Sequence, residues 1–254
     1  GKFAVKLGKN NMLLLADIYM IQANYEGKDQ GRRKLCSFYT NSDPIVKYMV
    51  SKLRIEKGDS ILEPSAGSGV FIDGILKKIS RVKMLEAVDL DPKAIAFLKD
   101  KFAGLSFIKV RKTDTLFDNE FDKVTAGLGE KYDKIIGNPP YGVWQSYARR
   151  SDLKNKYGGY VKDSYTLFLN KCVSMLKTGG VLSFINPDTF LALNAHEETR
   201  RYLIENACVE EILLFPSRFF PGVSFGYANL CIITLTKDCA EKNHKIRVVI
   251  ARTN

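Results

Sequence analysis

Residues 60–69 read Ser-Ile-Leu-Glu-Pro-Ser-Ala-Gly-Ser-Gly, and they join a short apolar run to a helical pattern. The run Ser60–Glu63 predicts a strand. After Gly69, apolar side chains recur at the spacing of an amphipathic helix, at Val70, Phe71, Ile72, Ile75 and Leu76. A strand, a glycine turn and a helix in this order open a nucleotide-binding βαβ unit. The sequence therefore predicts an α/β fold with a ligand site at the glycine turn.

The second predicted strand, Met84–Val88, ends at the acidic residue Asp89. Asp89 falls about twenty positions past the glycines, the separation expected of a carboxylate that binds ribose hydroxyls. The third glycine of a dinucleotide site would stand where Ile72 is, and the chain lacks the Gly-Lys-Ser/Thr of a P-loop. A glycine turn and a ribose-binding carboxylate, without a phosphate-binding motif, indicate a nucleoside-type cofactor such as S-adenosylmethionine.

The motif Asn138-Pro139-Pro140-Tyr141 follows the apolar run Tyr132–Gly137, which predicts a buried strand. Two prolines end the strand, so we expect a stiff, exposed segment at its carboxyl end, where open α/β sheets bind ligands. Two acceptors, the Asn138 amide oxygen and the Pro139 carbonyl, stand beside the ring of Tyr141. This set suits a planar group that carries an NH2. The alternative is an Asn-Pro turn followed by a core tyrosine.

The composition is typical of a globular protein, with 254 residues, 45% of them hydrophobic and 26% charged. No apolar stretch is long enough for a membrane span, so no membrane partner is expected. The five cysteines are widely spaced and form no metal-ligand pair with the two histidines. We expect no metal, reduced thiols and a cytoplasmic protein. The net charge of +11 favours a polyanionic partner.

Residues 142–162 combine basic and aromatic side chains next to the motif. The basic residues taken as candidates for DNA binding are Arg149, Arg150, Lys154 and Lys156. Such a mixture suits a nucleic-acid strand, and the alternative is a solvated loop. Residues 115–131 form a polar insertion that we expect to be a surface loop.

The ordered set of motifs resembles one family, the gamma group of adenine-N6 DNA methyltransferases of restriction-modification systems. The set comprises Phe38-Tyr39-Thr40, residues 63–69, Asp89, Asp114, residues 138–141 and Phe220-Pro221. It spans roughly residues 35–236. Two departures stand out: Asn41 occupies a position where the family often has proline, and the target-recognition domain that the family usually carries is expected to lie outside this chain.

The resemblance implies a Rossmann-like S-adenosylmethionine-dependent methyltransferase fold. We expect a mostly parallel sheet with helices on both faces, an antiparallel terminal strand and an N-terminal helical extension. Residues 1–34 would be that extension and residues 35–254 the catalytic domain. The expected partner is double-stranded DNA with a flipped adenine, together with a recognition domain or specificity subunit outside this chain.

The resemblance also implies the residues that hold the cofactor, S-adenosyl-L-methionine. Tyr39 and Thr40 would hold its methionine end. Asp89 would bind the ribose hydroxyls, and Asp114 would bind the amino group of the cofactor's adenine. The residues that shape the cofactor loop or border it are Glu63, Ser65, Ala66, Gly67 and Asn138.

For the target base, the resemblance implies that Asn138 and the Pro139 carbonyl accept both N6 hydrogens of the flipped adenine. Pro140 stiffens the motif, and Tyr141 would stack on one face of the base. Phe220 is the candidate for the other face, although Phe219 and Phe225 are near enough in sequence to replace it.

Three alternative functions remain open from the sequence. A protein glutamine also offers an NH2 group, so protein-glutamine methylation would use the same motif. RNA adenine methylation is harder to exclude, because no residue is evidently dedicated to a 2′-hydroxyl group. A third alternative is a DNA-binding fragment or subunit that is inactive without a recognition domain.

Overall fold

The computed structural model describes residues 43–142, 145–215, 229–237 and 244–251. The predicted N-terminal extension, residues 1–34, lies outside the described residues. So do Tyr39, Thr40 and Phe220, whose assigned roles stay predictions.

Helices and strands alternate along most of the described chain. The helices are α1 (Asp43–Lys52), α2 (Val70–Lys78), α3 (Pro92–Lys101), α4 (Asn119–Thr125), α5 (Tyr147–Tyr157), α6 (Ser164–Met175) and α7 (Glu197–Asn206). The strands are β1 (Ser60–Glu63), β2 (Met84–Asp89), β3 (Ile108–Lys112), β4 (Tyr132–Gly137), β5 (Leu176–Pro187), β6 (Cys208–Phe215), β7 (Leu230–Thr236) and β8 (Arg247–Ile250).

The strands of the described residues form one sheet in the order β3-β2-β1-β4-β5-β7-β6-β8. All neighbouring pairs are parallel except those made by β7, which is antiparallel to both β5 and β6. The predicted mostly parallel α/β sheet with an antiparallel strand is confirmed. The antiparallel strand was expected to be terminal, but β7 lies inside the sheet, two places from the edge that β8 forms.

The middle of the sheet is buried on both faces, as expected for strands covered by helices. All four residues of β1 are buried, and so is the run 180–187 of β5. Helix α1 packs on α2, while α6 packs on both α4 and α7. Gly74 permits the first of these approaches, because a Cβ at this position would lie 2.4 Å from Cγ1 of Val46.

Two segments are more regular than the sequence indicates. Residues 115–131, expected to be a surface loop, contain α4, whose start is capped by Asp118 through a 2.9 Å bond from the Phe121 N–H. Residues 142–162, expected either to bind a nucleic-acid strand or to form a solvated loop, contain α5. Leu153 is its one residue that is fully buried, so α5 gains little from apolar packing.

Candidate active site

The chain changes direction across the sheet between β1 and β4. Strands β2 and β3 extend from one side of β1, whereas β4 and β5 extend from the other, so the carboxyl ends of β1 and β4 border the crevice where such sheets bind ligands. The glycine turn after β1 and the motif after β4 meet there. Ser65 Oγ donates a 3.1 Å hydrogen bond to the main-chain oxygen of Asn138.

The glycine turn folds over the carboxylate of Asp89. Asp89 Oδ2 accepts a 2.8 Å bond from the Gly67 N–H, and Oδ1 accepts one of 2.8 Å from the Asp91 N–H. Burial raises the pKa of Asp89, although these two bonds oppose the shift. Gly69 has a left-handed φ of 74°, and a Cβ there would lie 2.7 Å from Cδ2 of Leu98. The turn therefore needs glycine to sit this close to α3.

Glu63 is a carboxylic acid buried at the end of β1, with 1% of its surface exposed. Its Oε2 atom has no hydrogen-bond partner among the described residues. Burial raises the pKa of Glu63 well above its usual range, and the nearby carboxylates of Asp89 and Asp73 raise it further. A buried acid with an unpartnered oxygen is a candidate for binding a cationic or hydrogen-bond-donating ligand group.

Asp114 follows β3 at the same edge of the sheet. Its Oδ1 atom accepts a 3.0 Å bond from the Leu116 N–H, and its Oδ2 atom forms an ion pair with Arg149 of α5. The adjacent Thr115 donates a 2.6 Å bond to the carbonyl of Pro64. Three predicted cofactor carboxylates, Asp114 among them, thus lie at the carboxyl ends of β1, β2 and β3.

The motif itself is less exposed than expected. Pro139 is buried, and Tyr141 is only 2% exposed. The Tyr141 hydroxyl donates a 2.7 Å bond to Asn138 Oδ1, and Ser164 Oγ at the start of α6 donates a 2.7 Å bond to the Pro140 carbonyl. The prediction of an open aromatic face is therefore wrong, because Tyr165 of α6 packs against Tyr141, whereas Asn138 and Pro140 stay partly exposed.

A cluster of aromatic and polar side chains lies behind Tyr141, and the sequence analysis missed it. The Tyr141 ring meets Tyr165 edge to face, with centroids 6.2 Å apart. The Tyr165 hydroxyl is 3.0 Å from Thr189 Oγ1 and 3.4 Å from His196 Nε2, which in turn lies 3.1 Å from Asp163 Oδ2. No local pattern predicts this cluster, because its members come from the start of α6 and from two short 3-10 helices that precede α7.

The four predicted DNA-binding residues lie on α5 and fall into two groups. Arg149 and Lys156 form ion pairs with Asp114 and Asp122. Lys154 is exposed, and Nε of Arg150 is buried without a partner among the described residues. The assignment of all four to DNA stays a prediction.

A cleft of about 290 Å³ lies between α4, α6 and α7. Its lining includes Lys171, Tyr160 and His196 but none of the predicted cofactor or base-binding residues, so it is separate from the candidate site. In the described ranges, no group of three or more His, Cys, Asp or Glu residues is arranged to hold a metal ion. None of the helices within those ranges is long and apolar enough to cross a membrane.

Comparison with protein families gives one assignment. The family model described as Eco57I restriction-modification methylase matches residues 4–220. Type II methyltransferase M.HincII of Haemophilus influenzae is 34% identical over 198 residues, which are 75% of this chain and 35% of that protein. This chain therefore spans about a third of the length of the curated relatives it matches.

Solved structures with the same fold include the methyltransferase subunit of a type I restriction-modification system from Streptococcus thermophilus. It has a TM-score of 0.68 and 18% identity, and the match covers 84% of this chain and 47% of that one. A putative class I S-adenosylmethionine-dependent methyltransferase from Listeria monocytogenes has a TM-score of 0.63, also at 18% identity, over 95% of this chain and 71% of that one. At this identity the likeness concerns the fold alone.

Proposed function

The chain belongs to the Eco57I restriction-modification methylase family, and we propose that it transfers a methyl group from S-adenosylmethionine to the N6 amino group of adenine in DNA. One observation carries the proposal: the Ser65–Asn138 bond joins the glycine turn to the Asn-Pro-Pro-Tyr motif. A cofactor held at that turn and an amino group held at the motif would be neighbours. The family relationship supports DNA as the substrate, within a restriction-modification system.

The residues present fit S-adenosylmethionine chemically. The cofactor offers an ammonium group, two ribose hydroxyls and an adenine amino group, all of which donate hydrogen bonds. Acidic side chains, which accept them, lie at the ends of three neighbouring strands: Glu63, Asp89 and Asp114. The unpartnered Oε2 of Glu63 suits the ammonium group, because a nearby cation offsets the cost of a buried carboxylate. Bound there, S-adenosylmethionine supplies a methyl group on a sulfonium centre whose leaving group is neutral.

Asn138 and Pro139 would act on the target amino group. When their two carbonyl oxygens accept both N–H bonds, the nitrogen lone pair is less delocalised into the ring and more available for attack. No strong base is required before attack, because the proton leaves afterwards from a cationic product. Alignment of the nitrogen with the methyl carbon is the main contribution of the protein, and it can reach about 7–11 kcal/mol in the best-oriented reactions.

DNA binding would involve the basic face of α5, which lies near the candidate site. The net charge of +11 favours phosphate, and Arg150 and Lys154 are the basic residues of α5 that have no ion pair in the described structure. Recognition of a specific sequence would come from a recognition domain or specificity subunit outside this chain. The chain covers 35% of the length of M.HincII, so the rest of that relative is long enough to contain a recognition domain.

Transfer of a labelled methyl group tests the substrate class. Duplex DNA, RNA and a glutamine-containing protein extract are incubated with labelled S-adenosylmethionine, and the methylated product is identified by mass spectrometry. We expect N6-methyladenine in DNA, absent with the Asn138→Ala variant. Label on glutamine or on RNA alone would contradict the proposal.

Activity in cells separates an inactive fragment from an incorrect assignment. Genomic DNA is sequenced for N6-methyladenine in cells that carry this chain alone, the full-length gene or neither. Methylation that requires the full-length gene would identify this chain as the catalytic part of a larger enzyme. Absence of N6-methyladenine in all three would contradict the proposed reaction.

A further inference from the structure

We infer that Arg149 is a positioning residue of the cofactor site, which holds the Asp114 carboxylate in place for the adenine amino group of S-adenosylmethionine. This role differs from the DNA contact predicted from its basic neighbours. The inference rests on the proposed function, because Asp114 receives an adenine only if the cofactor binds at this edge of the sheet.

Arg149 points towards the site and is held there by two contacts. Its Nη1 atom pairs with Asp114 Oδ2, and its guanidinium lies 4.5 Å from the centre of the Phe117 ring. The side chains of Arg149 and Asp114 are 31% and 18% exposed, so both are largely covered. Ser146 Oγ accepts a 3.1 Å bond from the Arg149 N–H, which places this residue in the first turn of α5.

The far end of α5 is attached to the turn between β3 and α4 and to α4 itself. Lys156 Nζ lies 2.6 Å from Asp122 Oδ2 and 5.2 Å from the centre of the Phe117 ring. The Tyr157 hydroxyl donates a hydrogen bond to the Leu116 carbonyl. Phe117 thus lies beneath cations from both ends of α5, and the helix runs along the turn that follows β3. Turning its first residues outward would break the contacts of Arg149 with Asp114 and Phe117.

The contacts on Asp114 leave it able to bind a ligand. One oxygen accepts the Leu116 N–H and the other faces Arg149, and each carboxylate oxygen has a second lone pair. A carboxylate fixed from two sides loses less conformational freedom when it accepts an adenine amino hydrogen. If Arg149 left for a DNA phosphate, Asp114 would lose its one cationic partner among the described residues.

A pair of ligands that differ only at the Watson–Crick edge of the base, in the group at C6 and the hydrogen on N1, tests this role. Calorimetry compares S-adenosylhomocysteine with its hypoxanthine counterpart, in which an acceptor oxygen replaces the amino group. The wild type should prefer the adenine form, because a carboxylate repels the oxygen. Arg149→Ala should bind the adenine form about three- to tenfold more weakly, the range of a partly covered ion pair with a stacked guanidinium, and its preference should shrink. Arg149→Lys should keep part of the wild-type affinity and part of the preference for the adenine form.

The matched control is Arg201→Ala, which removes an arginine that is ion-paired on the exposed face of α7. It should leave both affinities unchanged. Melting temperatures of all variants identify any that misfold, and Arg149→Gln replaces Arg149→Ala in that case. In a salt titration of DNA binding, Arg149→Ala should keep the wild-type slope.

The outcomes separate the inference from the proposed function. If Asp114→Ala leaves affinity and preference unchanged, the cofactor assignment at Asp114 fails. If Asp114→Ala abolishes the preference while Arg149→Ala keeps affinity and preference, only the inference is overturned. Tighter binding by Arg149→Ala would also overturn it, because Arg149 would then compete with the cofactor. If DNA binding by Arg149→Ala depended less on salt than that of the wild type, Arg149 would be assigned to DNA binding instead.

Discussion

The hydroxyl of Tyr141 donates a hydrogen bond of 2.7 Å to the side-chain oxygen of Asn138. Two of the residues that the resemblance assigns to the target base are therefore bound to each other. A carboxamide oxygen has two lone pairs, so an adenine amino group would bind beside the Tyr141 hydroxyl or replace it. Stacking on Tyr141, which is 2% exposed, would require its ring to move away from Tyr165.

Asn138→Ala should abolish methyl transfer while cofactor affinity stays nearly intact. Loss of the amide oxygen leaves one N–H of the adenine unpaired in a dry pocket, which costs about 1–3 kcal/mol, and misalignment adds to that loss. Single-turnover transfer and calorimetric titration measure the two effects separately. A variant that loses both equally would show that Asn138 chiefly holds the cofactor.

Two substitutions of Tyr141 separate its ring from its hydroxyl. Tyr141→Phe keeps the ring and loses one hydrogen bond, worth about 0.5–1.5 kcal/mol, so transfer should slow by tenfold or so at most. Tyr141→Ala also loses stacking on the base, worth roughly 1–3 kcal/mol.

A mismatched, already unstacked target should rescue Tyr141→Ala in part but not Asn138→Ala. Transfer to matched and mismatched duplexes under single-turnover conditions makes the comparison. Equal rescue of both variants would mean that the roles of the two residues are assigned wrongly.

Glu63→Gln should stabilise the free protein and weaken cofactor binding. Burial and two neighbouring carboxylates raise the pKa of Glu63 well above its usual range. Above the usual carboxyl range, the unfolded chain releases this proton while the folded chain keeps it, so the free energy of unfolding falls as pH rises towards the folded pKa. The advantage of Glu63→Gln should therefore grow as the pH rises above the usual carboxyl range towards the folded pKa. Urea unfolding across this range tests the sign, and a constant difference would contradict it.

Asp89→Ala should weaken S-adenosylmethionine binding by about 1.5–3 kcal/mol for each ribose hydrogen bond lost, at most. Asp89 also accepts the Gly67 and Asp91 N–H groups, so alanine disturbs the glycine turn as well. Asp89→Asn is the milder comparison, because it keeps one acceptor oxygen. Calorimetry that shows wild-type affinity for a folded Asp89→Ala protein would remove Asp89 from the cofactor site.

Replacing Arg150 and Lys154 with Gln should reduce the salt dependence of DNA binding. Each phosphate contact contributes about 0.9 to the slope of log affinity against log salt, so the slope should fall by ~1.8. Lys156→Gln is the matched control, because Lys156 is paired with Asp122 and should affect the slope less. An unchanged slope in the double variant would exclude this face of α5 from DNA binding.

The sequence predicts the first half of the sheet well because each signal there is local. The apolar run of β1, the glycine turn and the stripe of α2 follow one another without interruption. The sequence left the burial of Tyr141 open as the core-tyrosine alternative and could not decide it, since the burial involves Tyr165 of α6, which is distant in sequence. The sequence places Asn138, Glu63 and Asp89 at the ends of strands, and the sheet order brings those ends together.

The failure to predict helices α4 and α5 has other reasons. Helix α5 is polar on most faces and depends on ion pairs from Arg149 and Lys156 to residues far along the chain, which no periodicity reveals. Helix α4 did carry a local signal, because Asp118 stands just before it and acidic residues follow in its first turn.

The position of β7 inside the sheet constrains how the chain can fold during synthesis. Because β7 pairs with both β5 and β6, those two strands have unpaired edges facing each other until residues 230–236 have left the ribosome. A polypeptide cut after residue 220 would keep every acidic group at the site but expose both edges, which favours pairing between molecules. Such a fragment should be recovered as aggregates, and adding residues 221–251 should restore a monodisperse protein.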